Sequence, residues 1–176
     1  KGTVGSLGMI HIGGGTVRLF GGNYSRTATN PNTVRVGAAN SVFEMYTGTT
    51  VKGAASGYSA IHNGYSTAVL NMYGGTVDAN AGVAVTLNAG QFHQYGGTIK
   101  NARRSGVIID GGAYTLHDGE ITKGNAMISG YTTGGNVLLK SGSFTMEDGK
   151  ITQIQRGDWE TNVQELINLC TAPDGT

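Results

Sequence analysis

The sequence predicts an all-β solenoid, in which short strands stack in parallel along one axis. One observation is a recurring phrase of two apolar residues spaced two apart, then a glycine turn, then Val or Ile; its clear copies begin at Phe43, Leu70, Phe92, Tyr114 and Phe144. The other is a fixed period, because Gly75, Gly97 and Gly119 follow one another at two successive steps of 22 residues. Self-similarity at a fixed period is typical of solenoids.

Each copy predicts two kinds of strand and a corner. Apolar residues two apart, such as Leu70 and Met72, follow the period of a strand with one buried face. The Gly-Gly or Asp-Gly that follows suits a corner, because glycine accepts positive φ and Asp tolerates it. Strands of three to five residues need parallel partners in the neighbouring coils. A second apolar strand lies between the copies, at Val34–Val36, Ala60-Ile61, Val83 to Val85, Val107 to Ile109 and Val137 to Leu139.

The ends of the chain complete the predicted organisation. A weaker copy, Ile10–Ile12 followed by Gly15-Thr16-Val17, places Thr16 in one column with Thr50, Thr76 and Thr98. We expect roughly six coils within residues 1–157. Apolar residues at three and four residue spacing predict an amphipathic helix at 158–170 that caps the last coil, and a linker begins at 171–176. With no initiator methionine, signal peptide or transmembrane run, we interpret the chain as an excised module or mature product.

The repeat phrase also resembles known families. Residues 70–80 and 92–101 fit the pattern Phe-x-Met-x-Gly-Gly-Thr-Ile-x-x-Asn, which resembles repeats in large surface proteins of Gram-positive gut bacteria. Over residues 10–151 the coils resemble the right-handed parallel β-helix of the pectate-lyase-like superfamily. The resemblance implies that fold, a right-handed sense and an extracellular location, secreted or cell-wall-anchored. It does not imply one activity, because the scaffold carries lyases, hydrolases, epimerases, adhesins and tailspikes.

Catalysis in that superfamily needs acidic side chains gathered on one face, to hold calcium or to cleave a glycosidic bond. The chain has 11 acidic residues, and their best grouping is Asp118 and Glu120 beside Lys150, with Arg103-Arg104 one coil earlier. Asp118 takes the glycine position of its turn, which favours turn chemistry, and a neighbouring cation favours an ordinary ion pair. We therefore predict a non-catalytic protein, with a polysaccharide lyase or hydrolase as the alternative.

Composition and spacing argue against several other partners. His93 and His117 fall in different columns without a cysteine or acid to complete a metal set, so we predict no metal and no cofactor. A net charge of +1 with scattered basic residues predicts no nucleic-acid binding and no membrane insertion. The tripeptide at 156–158, Arg-Gly-Asp, matches an integrin-recognition sequence, although Asp158 also suits a helix N-cap.

The outward positions predict a binding surface. If Leu70 and Met72 point inward, the residue after Met points outward, which gives a column of Tyr46, Tyr73, Tyr95, His117 and Glu147. His93 falls in the adjacent outward column. We predict that Tyr46, Tyr73, Tyr95, His93 and His117 bind an extended glycan, with sugar faces packed on the rings and polar groups hydrogen-bonded beside them. A host surface protein held by the inter-coil loops is a second candidate partner. In a purely structural stalk the tyrosines would only stabilise neighbouring strands.

Overall fold

A computed structural model describes residues 8–26, 32–53, 58–80, 82–100, 102, 105–123 and 136–153. These residues form a parallel β-solenoid with no helix among them, which confirms the predicted fold class. The capping helix at 158–170, the linker at 171–176, the tripeptide at 156–158 and Arg103-Arg104 lie outside the described residues. The right-handed sense, the domain limits and the number of coils stay predictions.

The described residues form 16 strands. They are β1 (Ile10–Ile12), β2 (Thr16–Leu19), β3 (Gly22–Ser25), β4 (Val34–Val36), β5 (Val42–Met45), β6 (Thr49–Lys52), β7 (Ser59–Asn63), β8 (Val69–Met72), β9 (Thr76–Asp78), β10 (Val83–Leu87), β11 (Gln91–Gln94), β12 (Thr98–Lys100), β13 (Val107–Leu116), β14 (Glu120–Lys123), β15 (Val137–Met146) and β16 (Lys150–Gln153).

From β1 to β12 the strands repeat in threes, whereas β13 and β15 each join the first two positions of a coil into one strand. Each strand pairs in parallel with its equivalent one coil away. One sheet follows the order β16-β14-β12-β9-β6-β3. The other runs β1-β4-β7-β10-β13 and returns through β11-β8-β5-β2, because β13 contributes to both of its arms. The sequence predicts two short strands where β13 lies, yet its ten residues run through the corner with register shifts around Asp110. Gly111 and Gly112, at φ of 151° and 85°, bend the strand there.

The core lies inside the coils and follows the predicted alternation. Phe43, Leu70, Phe92 and Tyr114 stack in register, and each is at most 2% exposed. Gln94 takes the position that Met or Leu holds in the neighbouring coils. It accepts a hydrogen bond of 2.7 Å from the Tyr114 hydroxyl, so both buried polar groups are satisfied.

The prediction for the N-terminal copy is wrong. Thr16–Leu19 pairs with Val42–Met45, so Val17 and Leu19 hold the inward positions. Ile10–Ile12 instead pairs with Val34–Val36 in the second apolar column, and Asn23 rather than Thr16 stands beside Thr50. The misleading signal is the glycine run at 13–15, which imitates a corner, whereas the corner equivalent to Gly74-Gly75 is Gly21-Gly22.

Candidate functional site

The predicted outward column lies where one sheet turns into the other. Tyr46, Tyr73 and Tyr95 directly follow β5, β8 and β11, and His117 follows β13. Each backbone N–H donates to a carbonyl oxygen one coil earlier, at 2.9, 2.9, 2.8 and 2.8 Å in that order. The solenoid backbone therefore holds these four side chains in register along its axis.

The rings of these residues stack on one another, and Phe20 extends the stack toward the N-terminus. We call Phe20, Tyr46, Tyr73, Tyr95 and His117 the aromatic column. Successive ring centroids are 4.7, 5.0, 5.1 and 4.4 Å apart, with interplanar angles of 21°, 23°, 9° and 2°. Sequence reasoning missed Phe20 because of the wrong N-terminal register, although Val17-Arg18-Leu19-Phe20-Gly21-Gly22 repeats the phrase.

Stacking decides which part of each ring meets solvent. Every inner ring has a neighbour against both faces, so a sugar cannot pack flat on Tyr46, Tyr73 or Tyr95 without breaking the stack. Their edges and hydroxyls point outward instead, and Tyr73 and Tyr95 are 41% and 42% exposed. Phe20 is 70% exposed, and no ring of the described residues covers its N-terminal face.

The hydroxyls differ in their partners. The Tyr46 hydroxyl donates to Glu44 Oε2 at 3.2 Å, and Arg18 Nε donates to the same oxygen at 2.6 Å. Within the described part of the chain, the Tyr73 and Tyr95 hydroxyls make no hydrogen bond. Partial burial, followed by nearby Glu44, raises the pKa of both Tyr46 and Tyr73, so these phenols stay protonated at neutral pH. Tyr73 and Tyr95, unlike Tyr46, therefore present hydroxyls that are free to bind a ligand.

The two predicted histidines meet at the C-terminal end of the column. His93 is opposite Thr115 in the strand ladder, which makes His117 its diagonal neighbour two residues along. His93 Nδ1 lies 3.2 Å from His117 Nε2, and His117 Nδ1 lies 2.6 Å from Glu147 Oε2. Partial burial, and then His117, lower the pKa of His93. All five predicted site residues are therefore contiguous on one surface.

The acidic grouping considered for catalysis has other partners. Asp118 Oδ1 accepts the Gly119 N–H at 2.5 Å, and Asp148 Oδ1 accepts the Gly149 N–H at 2.7 Å, as the turn interpretation expects. Glu120 Oε1 accepts the Thr152 hydroxyl at 3.2 Å and lies 3.9 Å from Lys150 Nζ. These carboxylates are bound in turns and surface pairs.

The described residues contain no group of three or more His, Cys, Asp or Glu side chains placed to hold a metal ion. No helix among them has the length and apolar character needed to cross a membrane.

Comparisons with protein-family models, with curated proteins and with solved structures found no match for this chain. Of the resemblance drawn from the repeat phrase, the structure supports the parallel β-solenoid. The comparisons give no support to membership of the pectate-lyase-like superfamily or to an origin in a bacterial surface protein. The geometry of the aromatic column is therefore the basis for a function.

Proposed function

We propose that this chain is a non-catalytic binding module of a secreted or cell-wall-anchored bacterial surface protein, and that its aromatic column binds an extended polysaccharide. The observation that carries the proposal is the row of outward phenol edges in which the Tyr73 and Tyr95 hydroxyls have no partner among the described residues. A row that repeats once per coil matches a linear ligand whose polar groups also repeat.

The chemistry beside the column suits a glycan. Phenol hydroxyls both donate and accept, as sugar hydroxyls do. The neighbouring outward column supplies Asn71, His93 and Thr115, which are in register with one another. At the N-terminal end, the open face of Phe20 can pack against the apolar face of one sugar. Contact therefore runs along ring edges, with one stacking position at the end.

A structural stalk is the second candidate, and the ring stack itself favours it. Offset-stacked aromatic pairs contribute about 0.5–1.5 kcal/mol each beyond their buried area. A continuous column would then stabilise the coils without any ligand. Binding of a host protein would use inter-coil segments, several of which lie outside the described residues.

The test distinguishes the contribution of the tyrosine hydroxyls to binding from that of the stacked rings. The double variant Tyr73→Phe/Tyr95→Phe keeps the stack but removes two free hydroxyls, and Tyr73→Ala breaks the stack. The purified chain is passed over immobilised polysaccharides and mucin glycans, with an assay for released oligosaccharide in the same wells. We expect retention without release by the wild type. Because a net hydrogen bond contributes about 0.5–1.5 kcal/mol, the double Phe variant should bind about tenfold more weakly at unchanged melting temperature.

A matched control is available at two other turns of the coil, before and after β7. Tyr58→Phe/Tyr65→Phe removes the hydroxyls of two tyrosines outside the column whose exposure, 38% and 41%, is similar. This control should bind as the wild type does. Equal retention of the double Phe variant and the wild type would contradict the proposal. If Tyr73→Ala is less stable and the wild type is retained on no glycan, the structural stalk is the supported function. Release of oligosaccharide would instead identify the protein as an enzyme.

A further inference from the structure

The tyrosines of the aromatic column repeat at the spacing of the coils. The rings of Tyr46, Tyr73 and Tyr95 follow one another at 5.0 and 5.1 Å, close to the strand separation of about 4.8 Å. Their interplanar angles of 23° and 9° keep the rings close to parallel. A linear ligand that contacts every coil must therefore present a polar group at each step of about 4.8 Å.

The linkage of a polysaccharide decides whether it meets this requirement. In a chain of pyranoses joined through equatorial bonds at C1 and C4, the sugars advance along a straight ribbon, each by nearly one coil spacing. Successive sugars turn over, so each edge of the ribbon presents ring hydroxyls and exocyclic groups in alternation. An axial bond at C1 bends the chain at every sugar, and such a chain curves away from a row of tyrosine edges.

The charges beside the column favour an uncharged chain. In the ladder that runs from Arg18 through Glu44 to Thr145, Arg18 is the one permanent cation, and its Nε already donates to Glu44 Oε2 at 2.6 Å. At the far end of the column, the Glu147 carboxylate lies 2.6 Å from His117 Nδ1. Two carboxylates thus face one guanidinium along these described positions. An anionic sugar would find no unpaired guanidinium or ammonium group there and would meet like charge.

We propose that the aromatic column selects neutral polysaccharides whose pyranoses are joined through equatorial 1,4 bonds, the class of the β-1,4-glucans and β-1,4-mannans. This inference rests on the glycan binding proposed above and names its ligand class. The edge of the ribbon lies along the column, with one sugar per coil. The Tyr73 and Tyr95 hydroxyls bond successive sugars. Asn71 and His93, in register in the adjacent ladder, bond the same edge.

Two matched pairs of hexasaccharides distinguish linkage from charge. Cellohexaose and maltohexaose contain the same sugar and differ in the bond at C1, which is equatorial in the first and axial in the second. Mannohexaose and the hexamer of β-1,4-mannuronate share the equatorial linkage, and only the second carries carboxylates. In calorimetric titrations of the full-length chain, cellohexaose and mannohexaose should bind at least about tenfold more tightly than their partners, the factor expected for one or two lost hydrogen bonds.

Ligand length and one variant give independent readouts. Affinity for cello-oligosaccharides should rise with each sugar until the ligand spans the five rings of the column, so cellohexaose should bind no more tightly than cellopentaose. Glu44→Gln removes the carboxylate partner of the Arg18 guanidinium. This variant should gain affinity for the mannuronate hexamer at low ionic strength, with its affinity for mannohexaose unchanged. Circular dichroism of the variant verifies the fold.

The outcomes distinguish failure of the ligand class from failure of glycan binding itself. Equal affinity for cellohexaose and maltohexaose overturns the linkage requirement, and equal affinity for mannohexaose and the mannuronate hexamer overturns the requirement for a neutral chain. Retention on some other polysaccharide, without binding of either neutral ribbon, overturns the inference and leaves the proposed function intact. A folded chain that binds no hexasaccharide and is retained on no polysaccharide contradicts both.

Discussion

Several side chains in this solenoid take their polar partners from the neighbouring coils. Arg18 pairs with Glu44, Tyr114 with Gln94 and His117 with Glu147, each across 20 to 30 residues of sequence. Sequence reasoning found the outward positions of the site but not these contacts. The rotamer that brings His93 into contact with His117 depends on how the side chains of both coils pack. The repeat pattern predicts which residues point outward but not their rotamers.

His62 gives the solenoid a dependence of stability on pH. Burial lowers its pKa, and Arg35, adjacent in the ladder, lowers it further. As pH falls below about 6.5, the unfolded chain takes up a proton that folded His62 resists. Neutral His62 therefore contributes fully to the free energy of unfolding above about pH 6.5, the ordinary pKa of the unfolded residue. This contribution is lost as the pH falls through the pKa of His62 in the folded protein, which is lower. The urea midpoint should fall between about pH 7.5 and pH 5.5, and less so in His62→Gln. An equal fall in both proteins would contradict this assignment.

At the scale of strands and corners, the sequence predicts most of what the structure contains. Apolar residues spaced two apart placed Phe43, Leu70 and Phe92 inside correctly, because alternation reports directly which face is buried. The error at the N-terminus arose because the glycines at 13–15 satisfy the corner pattern as well as Gly21-Gly22 does. The aromatic residue before the glycines, Phe20, is the sequence signal that favours Gly21-Gly22, and the pairing of β2 with β5 decides between the two corners.

Corner glycines should be far less tolerant of substitution than loop glycines. Gly97 has φ of 82°, and a Cβ there would lie 2.6 Å from both Gly75 O and Met72 Cε. Left-handed backbone costs about 1–2 kcal/mol and overpacking about 1–3 kcal/mol, so Gly97→Ala should lower the free energy of unfolding by about 2–5 kcal/mol.

The matched control for this corner is Gly13→Ala, where a Cβ meets nothing within 4 Å. Its effect should stay within about 0.5 kcal/mol. Urea unfolding followed by circular dichroism measures both variants. Similar losses in the two would show that the corner column does not constrain the coils.

At the scale of the whole molecule, the site exists only because coils are equivalent. The aromatic column runs from Phe20 to His117 through residues that the chain supplies once per coil. If coils are interchangeable units, stability is a sum of coil and interface contributions, and one coil can be removed without loss of the fold.

Excision of residues 50–75 tests this directly, because Thr50 and Thr76 are equivalent in the ladder and joining Thr49 to Thr76 preserves register. Phe43 then meets Phe92, Tyr46 stacks on Tyr95, and the contact of His93 with His117 is untouched. We expect a folded β-protein whose urea m-value is smaller by about one seventh, since 26 of 176 residues are lost.

The control for this excision removes half a coil, residues 63–75, and joins His62 to Thr76. The corner after β8 is lost with it, so β7 would have to run directly into β9 without turning, and the strands that follow no longer face their equivalents. This protein should show no cooperative unfolding by circular dichroism. If the 26-residue excision unfolds in the same way, the coils are not interchangeable and the aromatic column depends on one fixed set of neighbours.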